Sequence, residues 1–167
     1  HPFRDGNGRV GRLLIPLLMC AHGLLCRPLL YLSAYFEKNR QAYYDGLLNV
    51  SRSGAWQGWV EFFLAGVEEQ SLNAIGRADR LLALRDAYLR MFRRPRASAS
   101  ALALIERLFA RPAITASEAQ SVLKVTYAAA RGNIEKLVSA GILVPGARGR
   151  RGQVFVAPEI ISVIESD

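Results

Sequence analysis

The chain has 167 residues, enough for one domain or two small ones, and its 51% hydrophobic content excludes intrinsic disorder. A formal net charge of +8, from 22 basic and 14 acidic residues, points to anionic partners such as nucleotides or nucleic acid. Two cysteines, Cys20 and Cys26, are too few for a disulfide framework and lack zinc spacing, so they read as buried reduced thiols of a cytoplasmic protein.

The chain opens "HPFRDGNGRVGR". Behind it comes an apolar run, Leu13 to Cys26, broken by Pro16, His22 and Gly23. It is too short for a membrane span and lacks a signal-peptide cleavage site, so no membrane partner is expected. It reads as a buried helix, kinked at Pro16 and closing at Gly23, with His22 as a capping or core histidine. "YLSAYFEKNRQAYYDGLLNV" predicts a second helix, with Ser33 as N-cap and Glu37 behind it. "WQGWVEFFLAGVEEQSLNAIGRADRLLALRDAYLRMF" predicts one long helix or two abutting ones. Trp56, Trp59, Phe62 and Phe63 in it read as core or docking surface. No strand pattern appears before residue 140.

"RRPRASAS" then marks a linker, with Pro95 stopping the helix and Arg93, Arg94 and Arg96 solvated. "ALALIERLFA", "TASEAQSVL" and "TYAAARGNIEKLVSAGIL" predict three helices, the second with Thr115 and Ser117 near its start and an acid at 118. "LVPGARGRRGQVFVAP" predicts a hairpin. Three helices and a hairpin are the order of a winged helix-turn-helix. The expected organisation is mainly α: a helical domain at 1–93, a linker at 94–100 and a small winged helix-turn-helix domain at 101–167.

The opening stretch concentrates phosphate chemistry. Gly6, Asn7 and Gly8 can take positive φ and turn successive N–H groups to one side, an anion nest at a helix N-terminus. Arg9 and Arg12, three apart on a helix, add two guanidinium forks suited to a di- or triphosphate. Asp5 suits a Mg²⁺ that bridges phosphates. Neutral His1 could take a proton from an incoming hydroxyl. Phe3 reads as the anchor that holds the loop to the core. Together these parts describe nucleotidyl or phosphoryl transfer to a hydroxyl.

"HPFRDGNGRVGR" resembles the Fic-domain signature, H-x-F-x-[D/E]-G-N-G-R-x-x-R, at every fixed position. The segment from "LLYLSAYFEKNRQAYYDG" to "FFLAGV" is similar to the region behind that motif in bacterial Fic proteins, some of which carry a winged helix after the Fic domain. The resemblance implies a protein adenylyltransferase that moves AMP from ATP, with Mg²⁺, to a Ser, Thr or Tyr hydroxyl of a target protein. It implies His1 as catalytic base and Asp5 as metal ligand. Gly6, Asn7, Gly8, Arg9, Val10, Gly11 and Arg12 would bind the nucleotide's phosphates, and Tyr43 its nucleoside. Relatives transfer phosphate or phosphocholine instead, and "GNGR" favours AMP over phosphate.

Fic domains have helices and a target-aligning flap before the motif, so the resemblance implies that this chain is a C-terminal fragment of a longer protein. The inhibitory [S/T]-x-x-x-E-[G/N] sequence of many relatives does not occur in it. The chain by itself is expected to be inactive, with an exposed apolar face on the first helix that favours homo-oligomers. The alternative function is a DNA-binding transcriptional regulator with a nucleotide-sensing Fic half. Candidate DNA contacts are Tyr127, Arg131, Arg148, Arg150 and Arg151, with Thr126 and Asn133 as further base readers. The modest charge of residues 97–167 and the few base-reading side chains favour a protein-docking or structural role for that domain.

Overall fold

The computed structural model describes residues 2–92, 99–149 and 152–166. They form a mainly helical protein, with eight helices and one three-stranded sheet among the described residues. None of those helices is long and apolar enough to cross a membrane. The chain divides into two compact units, His1–Gly76 and Arg77–Asp167. Of the linker expected at 94–100, residues 94–98 fall outside the described residues, and Ala99 and Ser100 belong to a helix.

The first unit holds α1 (Asn7–Ala21), α2 (Leu32–Lys38), α3 (Arg40–Ser53) and the start of α4 (Trp56–Phe92). The last is a single helix of 37 residues, so of the two readings of that segment the continuous one holds. Leu30, Leu32 and Phe36 are buried, and Ile15, Met19, Leu25, Phe62, Phe63 and Val67 pack on them. Phe36 stacks on Tyr43 with ring centroids 4.8 Å apart, and Trp59 lies 5.6 Å from Tyr43. Two glycines let these rings approach the helices. A Cβ on Gly66 would sit 2.6 Å from the Tyr35 ring, and one on Gly46 would sit 3.0 Å from Trp59.

Several expectations for this unit are corrected. No residue of α1 is buried, against its reading as a buried helix, whereas Leu13, Leu14, Leu17 and Leu18 form the exposed apolar face expected of the chain by itself. Apolar composition marks a face for burial without supplying its partner, and no described element covers this one. Cys26 is exposed and Cys20 half-buried, on the same poorly covered segment. Of the two readings of His22, the capping one holds and the core one does not: it is exposed and is the C-cap of α1, its N–H bonding the Leu18 carbonyl at 2.9 Å. Pro16 lies inside α1 without ending it, although it has no N–H to give the Arg12 carbonyl. Ser33 is not the N-cap of α2; Tyr31 is, and it makes no side-chain cap bond. The expected second helix breaks at Asn39 (φ −111°), whose amide donates to the Tyr35 carbonyl at 3.0 Å. Trp59 joins the aromatic cluster, whereas Trp56 is exposed.

The second unit holds the rest of α4, then α5 (Ala99–Ala110), β1 (Ala113–Thr115), α6 (Ala116–Leu123), α7 (Tyr127–Ser139), β2 (Val144–Gly149), β3 (Gly152–Val156) and α8 (Pro158–Glu165). The strands lie in the order β1-β3-β2, antiparallel throughout, with an irregularity in β2 between Pro145 and Arg148. Strand β1 corrects the expectation of no strand before residue 140, and α8 is an element beyond the three helices and hairpin expected. Ala101, Leu104, Ile105 and Leu108 line one face of α5 at helical spacing and are fully buried with Ile134, Leu137 and Ile160. Leu81, Leu84, Tyr88, Leu89 and Phe92 bring the end of α4 into the same core. The Tyr88 hydroxyl donates to Glu159 at 2.8 Å; burial first, then that bond, push its pKa up.

A capping box starts α6. The Thr115 hydroxyl accepts from the Glu118 N–H at 3.2 Å, and the Glu118 carboxylate accepts from the Thr115 N–H at 2.9 Å. That second bond is the main cause holding the Glu118 pKa below its ordinary value. A lowered native pKa stabilises fully above the unfolded value of about 4.3, and the contribution fades as pH falls through the native pKa. Glu118→Gln is therefore expected to cost about 0.5 kcal/mol at neutral pH and almost nothing near pH 3. Urea unfolding followed at the Ile134 methyl resonances checks this. An unchanged difference from neutral to acid pH would show that the carboxylate charge is not involved.

Candidate functional site

The opening motif forms the head of α1. Gly6 is the N-cap, at φ 78° and ψ 6°, in the left-handed region that glycine enters without steric cost. Among residues 6–8 it alone has positive φ, since Asn7 and Gly8 are already helical. The expected nest of successive positive-φ residues is thus replaced by one left-handed turn and a helix terminus. The Val10 N–H bonds the Gly6 carbonyl at 3.0 Å and starts the helical ladder. The N–H groups of Asn7, Gly8 and Arg9 have no partner among the described residues. Three free donors at the positive end of a helix suit an anion.

Asn7 holds the loop in front of them. Its Oδ1 accepts from the Phe3 N–H at 3.0 Å, and its Nδ2 donates to the Phe3 carbonyl at 2.7 Å. Phe3 is therefore no core anchor: the residue is 53% exposed, and the backbone clamp does the holding. Asp5 Oδ1 accepts from the Gly6 N–H at 2.6 Å, while Oδ2 lies 3.5 Å from the Arg9 guanidinium.

Both motif arginines fold back toward the helix start, as long side chains on a helix do. A Cβ on Gly6 would lie 3.6 Å from Arg9 Nη2, and one on Gly8 would lie 3.4 Å from Arg12 Nη1. The glycines thus leave room for the guanidiniums beside the first turn of the helix. Arg12 has no ion-pair partner among the described residues.

Two cavities share Arg12 and Tyr43. One, of about 370 Å³, is lined by Asn7, Gly8, Gly11, Arg12, Ile15, Tyr43 and Trp59. The other, of about 450 Å³, is lined by Arg12, Tyr31, Ser33, Phe36, Glu37, Arg40, Tyr43 and Tyr44. The structure thus brings Asn7, Gly8, Gly11, Arg12 and Tyr43 together from α1 and α3. Gly6, Arg9 and Val10 line neither cavity, and His1 lies outside the described residues. Ser33, Glu37, Arg40 and Tyr44 were missed as site residues. Their spacing of four, three and four residues traces one helical stripe, a signal present in the sequence.

Among the described residues no three His, Cys, Asp or Glu side chains gather as a metal site. Asp5 still fits Mg²⁺, which takes one or two carboxylates and completes its shell with phosphate oxygens and water. Its side chain is 94% exposed, and its Oδ2 is engaged only by the long contact to Arg9.

In the second unit, Tyr127, Arg131 and Arg148 line a cavity of about 290 Å³ with Ser117, Gln153 and Phe155. Arg131 pairs with Glu135 at 3.0 Å, and Arg148 has no ion-pair partner among the described residues. Two expected base readers are otherwise engaged. The Thr126 hydroxyl caps α7 by accepting from the Ala129 N–H, and Asn133 is buried and donates to the Ala129 carbonyl at 2.9 Å. Arg150 and Arg151 lie outside the described residues.

The clamp can be tested by itself. Asn7→Ala removes both bonds to Phe3, each worth about 0.5–1.5 kcal/mol before exposure is allowed for. Amide exchange at Phe3 is expected to accelerate about tenfold, while amides beyond Val10 keep their protection. Unchanged exchange at Phe3 would show that the loop is held by something else. No family model matches this chain, so the chemistry of the site rests on its own residues.

Proposed function

We propose that this chain carries the catalytic core of a Mg²⁺-dependent protein adenylyltransferase of the Fic type, with a winged helix-turn-helix domain behind it. The observation that carries this reading is the head of α1: three free N–H donors beside an arginine, Arg12, without an ion-pair partner among the described residues, next to a cavity walled by Tyr43.

The polyphosphate of ATP sits on the N–H groups of Asn7, Gly8 and Arg9, under the guanidiniums of Arg9 and Arg12. Asp5 would hold Mg²⁺, which when bound would supply neutralisation of phosphate charge. The oxygen of a target Ser, Thr or Tyr attacks the α-phosphorus, forming a phosphodiester to AMP. The bond to the β-phosphate oxygen breaks, and pyrophosphate leaves. His1, assigned from the sequence, takes the hydroxyl proton; such a base contributes about 10²–10⁴ in rate. Donors fixed at the helix terminus stabilise the charge that develops on the α-phosphate without reorganising.

The test uses the full gene product that carries this chain, with Mg²⁺ and ATP labelled at the α- or the γ-phosphate. Protein is expected to take label from the α position alone. Label entering only from the γ position would replace adenylylation by phosphorylation. His1→Ala is expected to abolish transfer and leave ATP affinity within about twofold, because a base acts on the hydroxyl. A matching loss of affinity would remove His1 from that role.

A second reading concerns the second unit: a DNA-contacting module, as in a transcriptional regulator with a nucleotide-sensing half. The gathering of Tyr127, Arg131 and Arg148 around one cavity favours it. Arg148→Ala is then expected to weaken binding of a fluorescent duplex and lower the salt slope by about one. No binding at low salt would leave this unit the docking or structural role.

A further inference from the structure

We infer that the cavity of about 450 Å³ between Arg12 and Tyr44 is a nucleoside subsite in which Glu37 recognises the ribose 2′- and 3′-hydroxyls. This rests on the nucleotide reading above and adds a residue that selects the sugar.

The walls decide between the two cavities. A nucleotide whose phosphates lie at the head of α1 must place its nucleoside beyond Arg12, and both spaces adjoin that residue. Past the motif residues and Tyr43, the smaller cavity offers only Ile15 and Trp59, with no group able to accept a hydrogen bond from a sugar. The larger offers Ser33, Glu37 and the rings of Tyr43 and Tyr44. Its volume lies within the range of about 300–1,000 Å³ usual for small-molecule sites. Tyr43, stacked on Phe36, and Tyr44, under Arg40, give this cavity an aromatic wall of the kind bases pack against.

Glu37 is poised for a diol. Its closest cation is Arg40 at 3.9 Å, beyond hydrogen-bond reach, and its side chain is 77% exposed. The Arg40 guanidinium lies over the Tyr44 ring, 5.8 Å from its centroid. The carboxylate thus keeps both oxygens open while a nearby cation offsets its charge. A carboxylate only accepts hydrogen bonds, and two adjacent hydroxyls donate to its two oxygens at once. The break at Asn39 leaves Ser33 and Glu37 on α2 and Arg40 and Tyr44 on α3 along one wall.

The experiment is calorimetry of the full gene product with Mg²⁺ and ATP, 2′-deoxy-ATP, 3′-deoxy-ATP or GTP, using the unmodified protein, Glu37→Ala, Glu37→Gln and Arg12→Ala. The unmodified protein is expected to prefer ATP over each deoxy form by about tenfold or more, the yield of a hydrogen bond to a charged acceptor. Glu37→Ala should bring that ratio near one while leaving 2′-deoxy-ATP affinity within about twofold. Glu37→Gln should fall between. A ribose preference that survives in Glu37→Ala, or none in the unmodified protein, overturns the inference. A GTP preference that disappears in Glu37→Ala also overturns it, by moving Glu37 to a base edge. Arg12→Ala separates the two readings. If it weakens every nucleotide while Glu37 variants change no ratio, the phosphate site stands and the sugar contact falls. If no nucleotide binds the unmodified protein, both fall.

Discussion

Gly6 turns the chain through the left-handed region just before α1, and the head of that helix depends on the turn. Any other residue would meet a steric penalty there, because a Cβ crowds the following carbonyl. The turn lets Asn7 begin the helix with its side chain pointing back, where it meets both backbone groups of Phe3. The clamp in turn closes the loop that presents Asp5, and the Asp5 carboxylate engages the Gly6 N–H, leaving the next three amides open. Each bond here is local and exposed, so none is strong alone. Their closure into one ring of contacts over five residues gives the loop a single shape.

The two units are built on different terms. The second has an interior of buried, mostly aliphatic side chains drawn from helices and strands alike. The first rests on Leu30, Leu32 and Phe36 and a ring of aromatics, while α1 and α3 contribute no buried residue. Stability scales with buried apolar area, so the unit that bears the candidate site holds less of it. That helix α1 displays Leu13, Leu14, Leu17 and Leu18 belongs to the same imbalance.

Legibility in the sequence tracked the range of the interactions. Helix α5 was readable because Ala101, Leu104, Ile105 and Leu108 repeat at helical spacing, and α6 because Thr115 and Glu118 write a capping box. Strand β1 was not, because three residues are too few for alternation and its pairing partner, β3, lies some forty residues on. Helix α8 carried a proline at its first turn, a start signal passed over beside the hairpin. At the site, the motif announced Asn7, Gly8 and Arg12 through composition. Ser33, Glu37, Arg40 and Tyr44 stand at helical spacing in the sequence, but only the fold shows that this stripe lines a cavity with Arg12. Phe3 misled because an aromatic suggests an anchor, whereas a backbone clamp served instead.

The ring of Tyr35 against Gly66 makes the seat of α2 on α4 a property of a residue well outside the motif. Tyr35 rides on α2 next to Phe36 and Glu37, and it reaches α4 where the helix has no side chain at all. The ring acts as a gauge block: its thickness sets how near α2 stands to α4. Any residue larger than glycine at position 66 would have to displace the ring or the helix that carries it. A larger residue at position 66 would thus shift α2, which carries Ser33 and Glu37, without altering either residue.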